Sequence, residues 1–438
     1  MISSLLALSA LVVSALSACP KLPAVAGVAQ MQKSYPALGQ IAKIMPGDDE
    51  ATKLFAAMNA NKTYADALAL APKKLKAGNP DFSQREPNSC WWSDDGCVTS
   101  KRAYIPPDYT TCPEPGVYGL SVDDGPNDAH CELLDLYKQK NIRASFFYIG
   151  TNVMTFAAAG QEAHNAGHTI CVHTWSHNYL SSLTNEQVFA ELFYTKKAIK
   201  QVIGVTPRCW RPPFGDLDDR VRTIALALEL GPAYIWSLDT DDWEVDEPQG
   251  ASIAVREFDK VIASAPKNTG AIVLNHESSE KIVNLFLERY EKISAAFKGG
   301  VLSAETCLNI TAPYPEPITY PNFAQYAAGQ RADTMNTLKA VADPSAKILW
   351  SGDAPAGPAA SSSSGSGAGT VGRNASTGPS DRLPPVVVVV AANGTIVGTQ
   401  SAGASQPTVT SVVGAGPTSF ALGLFVPALA AALALLRA

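Results

Sequence analysis

Between Val117 and Cys307 the chain repeats one order: a short apolar run rich in β-formers, a polar or Gly/Pro turn, then a longer amphipathic run. This alternation constrains the fold more than any other feature, because strands joined by helical crossovers pair in parallel and carry their helices outside. The pattern predicts strands over Val117 to Val122, Arg143 to Ile149, His168 to Val172, Arg208 to Arg211, Tyr234 to Leu238 and Ala271 to Leu274. Helices are predicted over Cys131 to Lys140, Glu186 to Ile203 and Lys281 to Phe297. The expectation is an α/β fold whose parallel sheet is closed, or nearly closed, into a barrel. In such folds the working side chains gather at the C-terminal rim of the strands.

The flanks differ in character. Residues 1–18, with their apolar stretch Leu5 to Leu16, read as a secretory signal peptide. Leu16-Ser-Ala-Cys19 also fits a bacterial lipoprotein cleavage box, a reading that the other end of the chain opposes. There Phe420 to Leu436 is an almost unbroken run of small and apolar residues followed only by Arg437 and Ala438, the pattern of a glycosylphosphatidylinositol attachment signal over 411–438. The alternative is an ordinary C-terminal transmembrane anchor, which the missing positive flank disfavours. Residues 19–110 form an N-terminal extension with helical stretches such as Ala51 to Ala71, packed on or leading into a catalytic domain over 111–312. Residues 313–410, rich in Pro, Ala, Ser and Gly, read as a mostly flexible, disordered stalk, with Phe323 to Leu349 as a stretch that folds back on the domain. The net charge of -6 and the lack of a Lys/Arg cluster exclude a phosphate-tracking surface, so no nucleic-acid partner is expected. A neutral or cationic polymer suits the chain better, and a monomer is expected.

Eight cysteines in a secreted chain read as disulfides, since neither CxxC pairs nor Cys/His clusters at zinc spacing occur. A Cys112 to Cys307 bridge would staple the two ends of the catalytic domain, and Cys90 with Cys97 would close a small loop around Trp91-Trp92. Cys131, Cys171 and Cys209 are left over, so at least one is expected as a buried thiol. Asn61, Asn309, Asn374 and Asn393 begin glycosylation sequons.

Five segments carry the chemistry. Val117-Tyr-Gly-Leu-Ser-Val-Asp-Asp-Gly-Pro126 is an apolar strand ending in two adjacent carboxylates. Downstream lie His173-Thr-Trp-Ser-His177, Arg211-Pro-Pro-Phe-Gly215, Asp239-Thr-Asp-Asp-Trp243 and Leu274-Asn-His276. On its own the HxxxH spacing describes two rings on one face of a helix, and Asp-Asp-Gly-Pro describes a plain turn. In this order the five resemble the signature of the polysaccharide deacetylases, the carbohydrate esterase family that includes chitin deacetylases, peptidoglycan deacetylases and some acetylxylan esterases.

The resemblance implies a distorted (β/α) barrel of irregular strand count. It also implies a divalent metal, zinc first and cobalt as an alternative, held by Asp124, His173 and His177. By the same carry-over Asp123 is the base that takes the water proton, and Arg211 pairs with Asp123 and holds it ionised. His276 is the general acid for the leaving nitrogen, with Asp242 as its partner and Asp239 as the alternative. The backbone N–H of Phe214 is expected to help bind the oxyanion, a role that survives the family's common tyrosine becoming phenylalanine here. Trp243 and Leu274 are candidate pocket walls; ordinary core packing is the competing explanation for both. Ser121-Val122 replaces the Thr-Phe of many relatives. No functional group of the motif set is missing. The expected substrate is chitin or its oligomers, deacetylated at a GPI-anchored, secreted surface enzyme of a fungus. The rivals are deacetylation of peptidoglycan or acetylxylan, and a non-catalytic wall protein whose Trp91 and Trp92 stack on sugars.

Overall fold

A computed structural model of the chain describes Cys19, residues 21–332 and 341–351, and the backbone strands Val387–Val390 and Ile396–Gln400. The predicted signal peptide, the C-terminal attachment signal, Asn374 and Asn393 lie outside the described residues. No helix among the described residues is long and apolar enough to cross a membrane.

The central strand is Val117–Asp123, buried at every position. A strand covered on both faces cannot alternate apolar and polar residues, which is why Val-Tyr-Gly-Leu-Ser-Val reads as a continuous run. It pairs in parallel with Gly270–His276 on one side. On the other side Ser145–Tyr148 and Gly300–Ser303 share its length. Thr169–Val172 follows Ser145–Tyr148 in parallel. Beyond that point the sheet thins to single bridges, from Val172 to Trp210 and, through the Tyr234 N–H to the Trp210 carbonyl, onward to Tyr234. The same segment then becomes the two-residue strand Leu238–Asp239, which pairs in parallel with the 270–276 strand. The circuit is therefore a distorted barrel in which the predicted strands at 208–211 and 234–238 are largely reduced to bridges. Pro207, Pro212 and Pro213 flank the first of them, and proline cannot donate to a ladder.

The crossovers are helices of the predicted kind: Cys131–Gln139, Asn185–Val202 and Glu280–Ala296. Their starts are set locally. Thr184 and Gln187 form a capping box, and Ser279 accepts from the Ile282 N–H. In the N-terminal extension Asp49–Ala60 is helical, and Asp48 caps it through the Ala51 N–H. The extension wraps the barrel: the Ala42 N–H reaches Glu191 and the Met45 N–H reaches the Tyr194 hydroxyl, both at 2.8 Å.

Residues 341–351 also pack back on the domain, where Trp350 Nε1 donates to Glu50 and the Trp350 ring lies 4.7 Å from Lys196 Nζ. Within the predicted stalk the backbones of Val387–Val390 and Ile396–Gln400 pair antiparallel.

All eight cysteines pair: Cys19–Cys131, Cys90–Cys97, Cys112–Cys307 and Cys171–Cys209. The expectation of a buried thiol is thus corrected. Its error was to leave Cys19 out of the pairing, although a long-range bridge costs nothing in sequence distance once the extension lies on the barrel. The Cys112–Cys307 bridge sits on Gly119, where any Cβ would come 2.9 Å from the Cys112 sulfur and from the Ala271 carbonyl. Alkylation under denaturing, non-reducing conditions should label no cysteine. Replacing Cys112 and Cys307 with alanine should cost about 2–5 kcal/mol of unfolding free energy, measured by denaturant titration.

Candidate active site

The parallel register places Asp123 opposite His276, so two motif side chains leave the rim at the same height from adjacent strands. Asp124 follows in a left-handed conformation, φ 73°, which turns its carboxylate away from the strand line. That turn is pinned by Asn152 Nδ2 donating to the Asp124 carbonyl at 2.7 Å and by the Ile149 N–H donating to the Gly125 carbonyl at 2.9 Å.

His173 and His177 do not lie on a helix, contrary to what their spacing alone describes. The segment is a loop in which Thr174 and His177 both have positive φ, and this reversal brings the two rings to 5.1 Å. Ligand atoms of Asp124, His173 and His177 all lie within 4.8 Å of one another. His177 Nε2 is 3.2 Å and His173 Nε2 3.5 Å from Asp124 Oδ1. Burial opposes a charge on Asp124, but the two neighbouring imidazoles, His177 foremost, hold its carboxyl well below the usual range. His173 Nδ1 lies 2.8 Å from the Arg211 carbonyl. A carbonyl only accepts, so Nδ1 carries the proton and Nε2 offers a lone pair to the triad.

Arg211 is fully buried and uses its planar fork. Nη1 donates to Asp123 Oδ1 at 2.7 Å, Nη2 to Ser121 Oγ at 2.8 Å and Nε to the Tyr234 carbonyl at 2.8 Å. Ser121 stands on the same side of the strand as Asp123, two residues earlier, and takes part in holding the arginine.

Asp242 is the partner of His276. Its Oδ1 accepts from His276 Nδ1 at 2.6 Å and its Oδ2 from the His276 backbone N–H at 2.8 Å. Burial alone would lower the imidazole pKa, but the Asp242 charge and hydrogen bond, with Asp124 and Asp123 behind them, raise it to about 10. Asp239 instead accepts from the Asp241 N–H at 3.0 Å and closes its own turn; burial, with Asp241 and Asp242 nearby, raises it to about 6.

Phe214 has φ 58° and a ring that is 46% exposed, stacked on Tyr179 at 4.1 Å. Trp243 is 43% exposed, so core packing does not explain it, whereas Leu274 is buried in its strand. Trp91 is fully buried, with its indole N–H on Asp216, and has no face for a sugar; Trp92 is half-buried against Trp236. The sequence reading also passed over Glu277. It lies beneath the first-motif loop, where a Cβ on Gly125 would fall 1.6 Å from its Oε1, and its N–H donates to the Asp123 carbonyl at 3.3 Å. An acidic residue beside His276 was the only local signal.

Residues 110–233 match the family model of the polysaccharide deacetylases. Among curated proteins, the chain is 41% identical over 318 residues to chitin deacetylase 2 of Cryptococcus neoformans var. grubii, covering 69% of this chain and 68% of that one. It is 42% identical over 237 residues to the chitin deacetylase of Amylomyces rouxii, covering 53% and 56%. Among solved structures, the chitin deacetylase of Colletotrichum lindemuthianum aligns with a TM-score of 0.43 and 24% identity over 47% of this chain and 94% of that one. The chain belongs to the polysaccharide deacetylase family and is a deacetylase hydrolase.

The His276–Asp242 pair gives a direct test. In chelator-treated protein, Asp242→Asn should move the His276 titration midpoint down from about 10, read from the ring protons by NMR; an unmoved midpoint would exclude Asp242 as the charge partner. Because the folded value lies above the ordinary 6.5, the pair's stabilisation is fully present below about 6.5 and is lost as pH rises through about 10. The stability gap between wild type and Asp242→Asn should close across that window.

Proposed function

We propose that the chain hydrolyses the N-acetyl groups of N-acetylglucosamine residues in chitin, releasing acetate and leaving chitosan. The observation that carries this reading is the single rim on which the Asp124, His173 and His177 triad, the Asp123 carboxylate and the His276 imidazole meet. Relatives from two fungi bear the name chitin deacetylase, which favours chitin over peptidoglycan or acetylxylan.

The triad fits a divalent metal. Asp124 Oδ1 is buried without a hydrogen bond, and the Nε2 lone pair of His173 faces it. One carboxylate and two imidazoles are a donor set that suits zinc, with cobalt as an alternative. When bound, such an ion acidifies water and polarises an acyl oxygen.

The remaining roles belong to side chains and backbone. Arg211 occupies Asp123 Oδ1, which leaves Oδ2 to accept the proton of the attacking water. The N–H of Phe214 stabilises the negative charge that develops on the acetyl oxygen. Asp242 fixes the proton of His276 on Nδ1 when the ring is neutral and balances its charge when protonated, so Nε2 delivers a proton to the departing amine. Trp243 and Phe214 present exposed aromatic faces to the sugar. The same reading makes the protein a secreted, GPI-anchored glycoprotein of the plasma membrane and cell wall, with exposed Asn61 and Asn309 as glycan acceptors.

Acetate release from a defined chitin oligomer, with and without chelator, tests reaction, substrate and metal together. Release should stop with chelator and return with zinc; release confined to acetylated xylan would overturn the substrate. Asp123→Asn should retain oligomer binding and lose about 100-fold to 10,000-fold in turnover, while His173→Ala should lose the metal. An Asp123→Asn protein with undiminished acetate release would refute the base assignment.

A further inference from the structure

The N-terminal extension reaches the motif loop that carries Phe214. Three donors converge on Asp216, two residues further along. Trp91 Nε1 lies 2.8 Å and Ser93 Oγ 2.6 Å from Asp216 Oδ1, and the Ser181 N–H lies 2.8 Å from Oδ2. Asp216 is fully buried, so these donors replace water around its carboxylate. The backbones are also joined, since the Trp92 N–H donates to the Leu217 carbonyl at 3.1 Å. Between these anchors the Trp92 ring covers Gly215, where a Cβ would fall 2.1 Å from Trp92 Cζ3.

The donor segment is itself fixed. The Cys90–Cys97 disulfide closes it, and Arg222 donates to the Cys90 carbonyl at 2.6 Å and the Cys97 carbonyl at 2.8 Å while pairing with Asp108 at 2.6 Å. The loop it braces needs such support. Phe214 is a non-glycine residue at φ 58°, a strained conformation that persists only where the surroundings over-determine it. Released from Asp216 and Trp92, the Phe214 peptide would relax toward negative φ and turn its N–H away from the rim.

We propose that residues 90–97 of the N-terminal extension complete the catalytic site by holding the Phe214 peptide in its strained orientation through Asp216 and Gly215. Trp91, Ser93 and Asp216 are then positioning residues for turnover. The inference rests on the reading of the Phe214 N–H as the oxyanion donor. A loop misplaced by about 1 Å loses roughly 100-fold in rate while ground-state binding survives, because the donor matters most when the oxygen bears charge.

The test uses the full chain with Asp216→Asn and with the milder pair Trp91→Phe and Ser93→Ala, which keeps the aromatic ring and removes only the two donors. Expected are kcat losses of about 10-fold to 100-fold, a KM within about 2-fold, an unchanged zinc affinity, and acetate inhibition weakened by the same factor as kcat. Ser93→Thr, which keeps the hydroxyl, should stay near wild type. Unchanged kcat in the double variant, with a melting temperature showing that it is folded, would overturn the inference even if Asp216→Asn fails to fold. A fall in kcat with acetate inhibition unchanged would instead leave the positioning role standing and remove the oxyanion role from Phe214.

Discussion

The arrangement depends on one buried cation. Arg211 has no exposed surface, lies 4.2 Å from the Phe147 ring, and spends its donors on Asp123, Ser121 and the Tyr234 carbonyl. A guanidinium removed from water is tolerated only when its charge and donors are met, and deleting one member of such a pair costs about 3–5 kcal/mol. The residue also works through its backbone. Its N–H donates to the Val172 carbonyl at 2.9 Å, and its own carbonyl fixes the tautomer of His173. One residue therefore holds the Asp123 carboxylate with its side chain and the His173 imidazole with its main chain. Lysine would offer a charge without the fork that reaches Asp123, Ser121 and Tyr234 together.

Around that cation the two adjacent aspartates acquire different surroundings. Asp123 ends the central strand in regular conformation, with Arg211 on one oxygen, while Asp124 turns into left-handed backbone and faces two imidazoles. The single peptide step between them gives one carboxylate a guanidinium partner and the other a pair of imidazoles, the difference that the proposed roles of proton acceptor and metal ligand need. His276 stands across the register from Asp123 with Asp242 behind it, so charge alternates around the rim: carboxylate beside guanidinium, carboxylate beside imidazoles, imidazole beside carboxylate.

Much of this was legible in the chain because it is local. Continuous apolar runs marked the buried strands, amphipathic runs from Glu186 and Lys281 marked two of the helices to within a residue of their starts, and the five motifs fell at strand ends. What escaped is long-range or conformational. Nothing near Cys19 announces Cys131, 112 residues away, and nothing near Trp91 announces Asp216. The pair Trp91-Trp92 suggested a sugar platform because exposed aromatics do that work, yet packing against Phe82, Asp216 and Trp236 decided otherwise. The HxxxH spacing suggested a helix face, but positive φ at Thr174 and His177 brings the rings together in a loop, a choice imposed by tertiary contacts and not by propensity.

The central claim is the division of labour between the two aspartates, and a zinc titration of Asp123→Asn beside Asp124→Asn by calorimetry tests it most directly. The account requires one tightly bound zinc in Asp123→Asn and a large loss of affinity in Asp124→Asn, with both proteins folded. Equal zinc affinity in the two variants, or loss confined to Asp123→Asn, would contradict it.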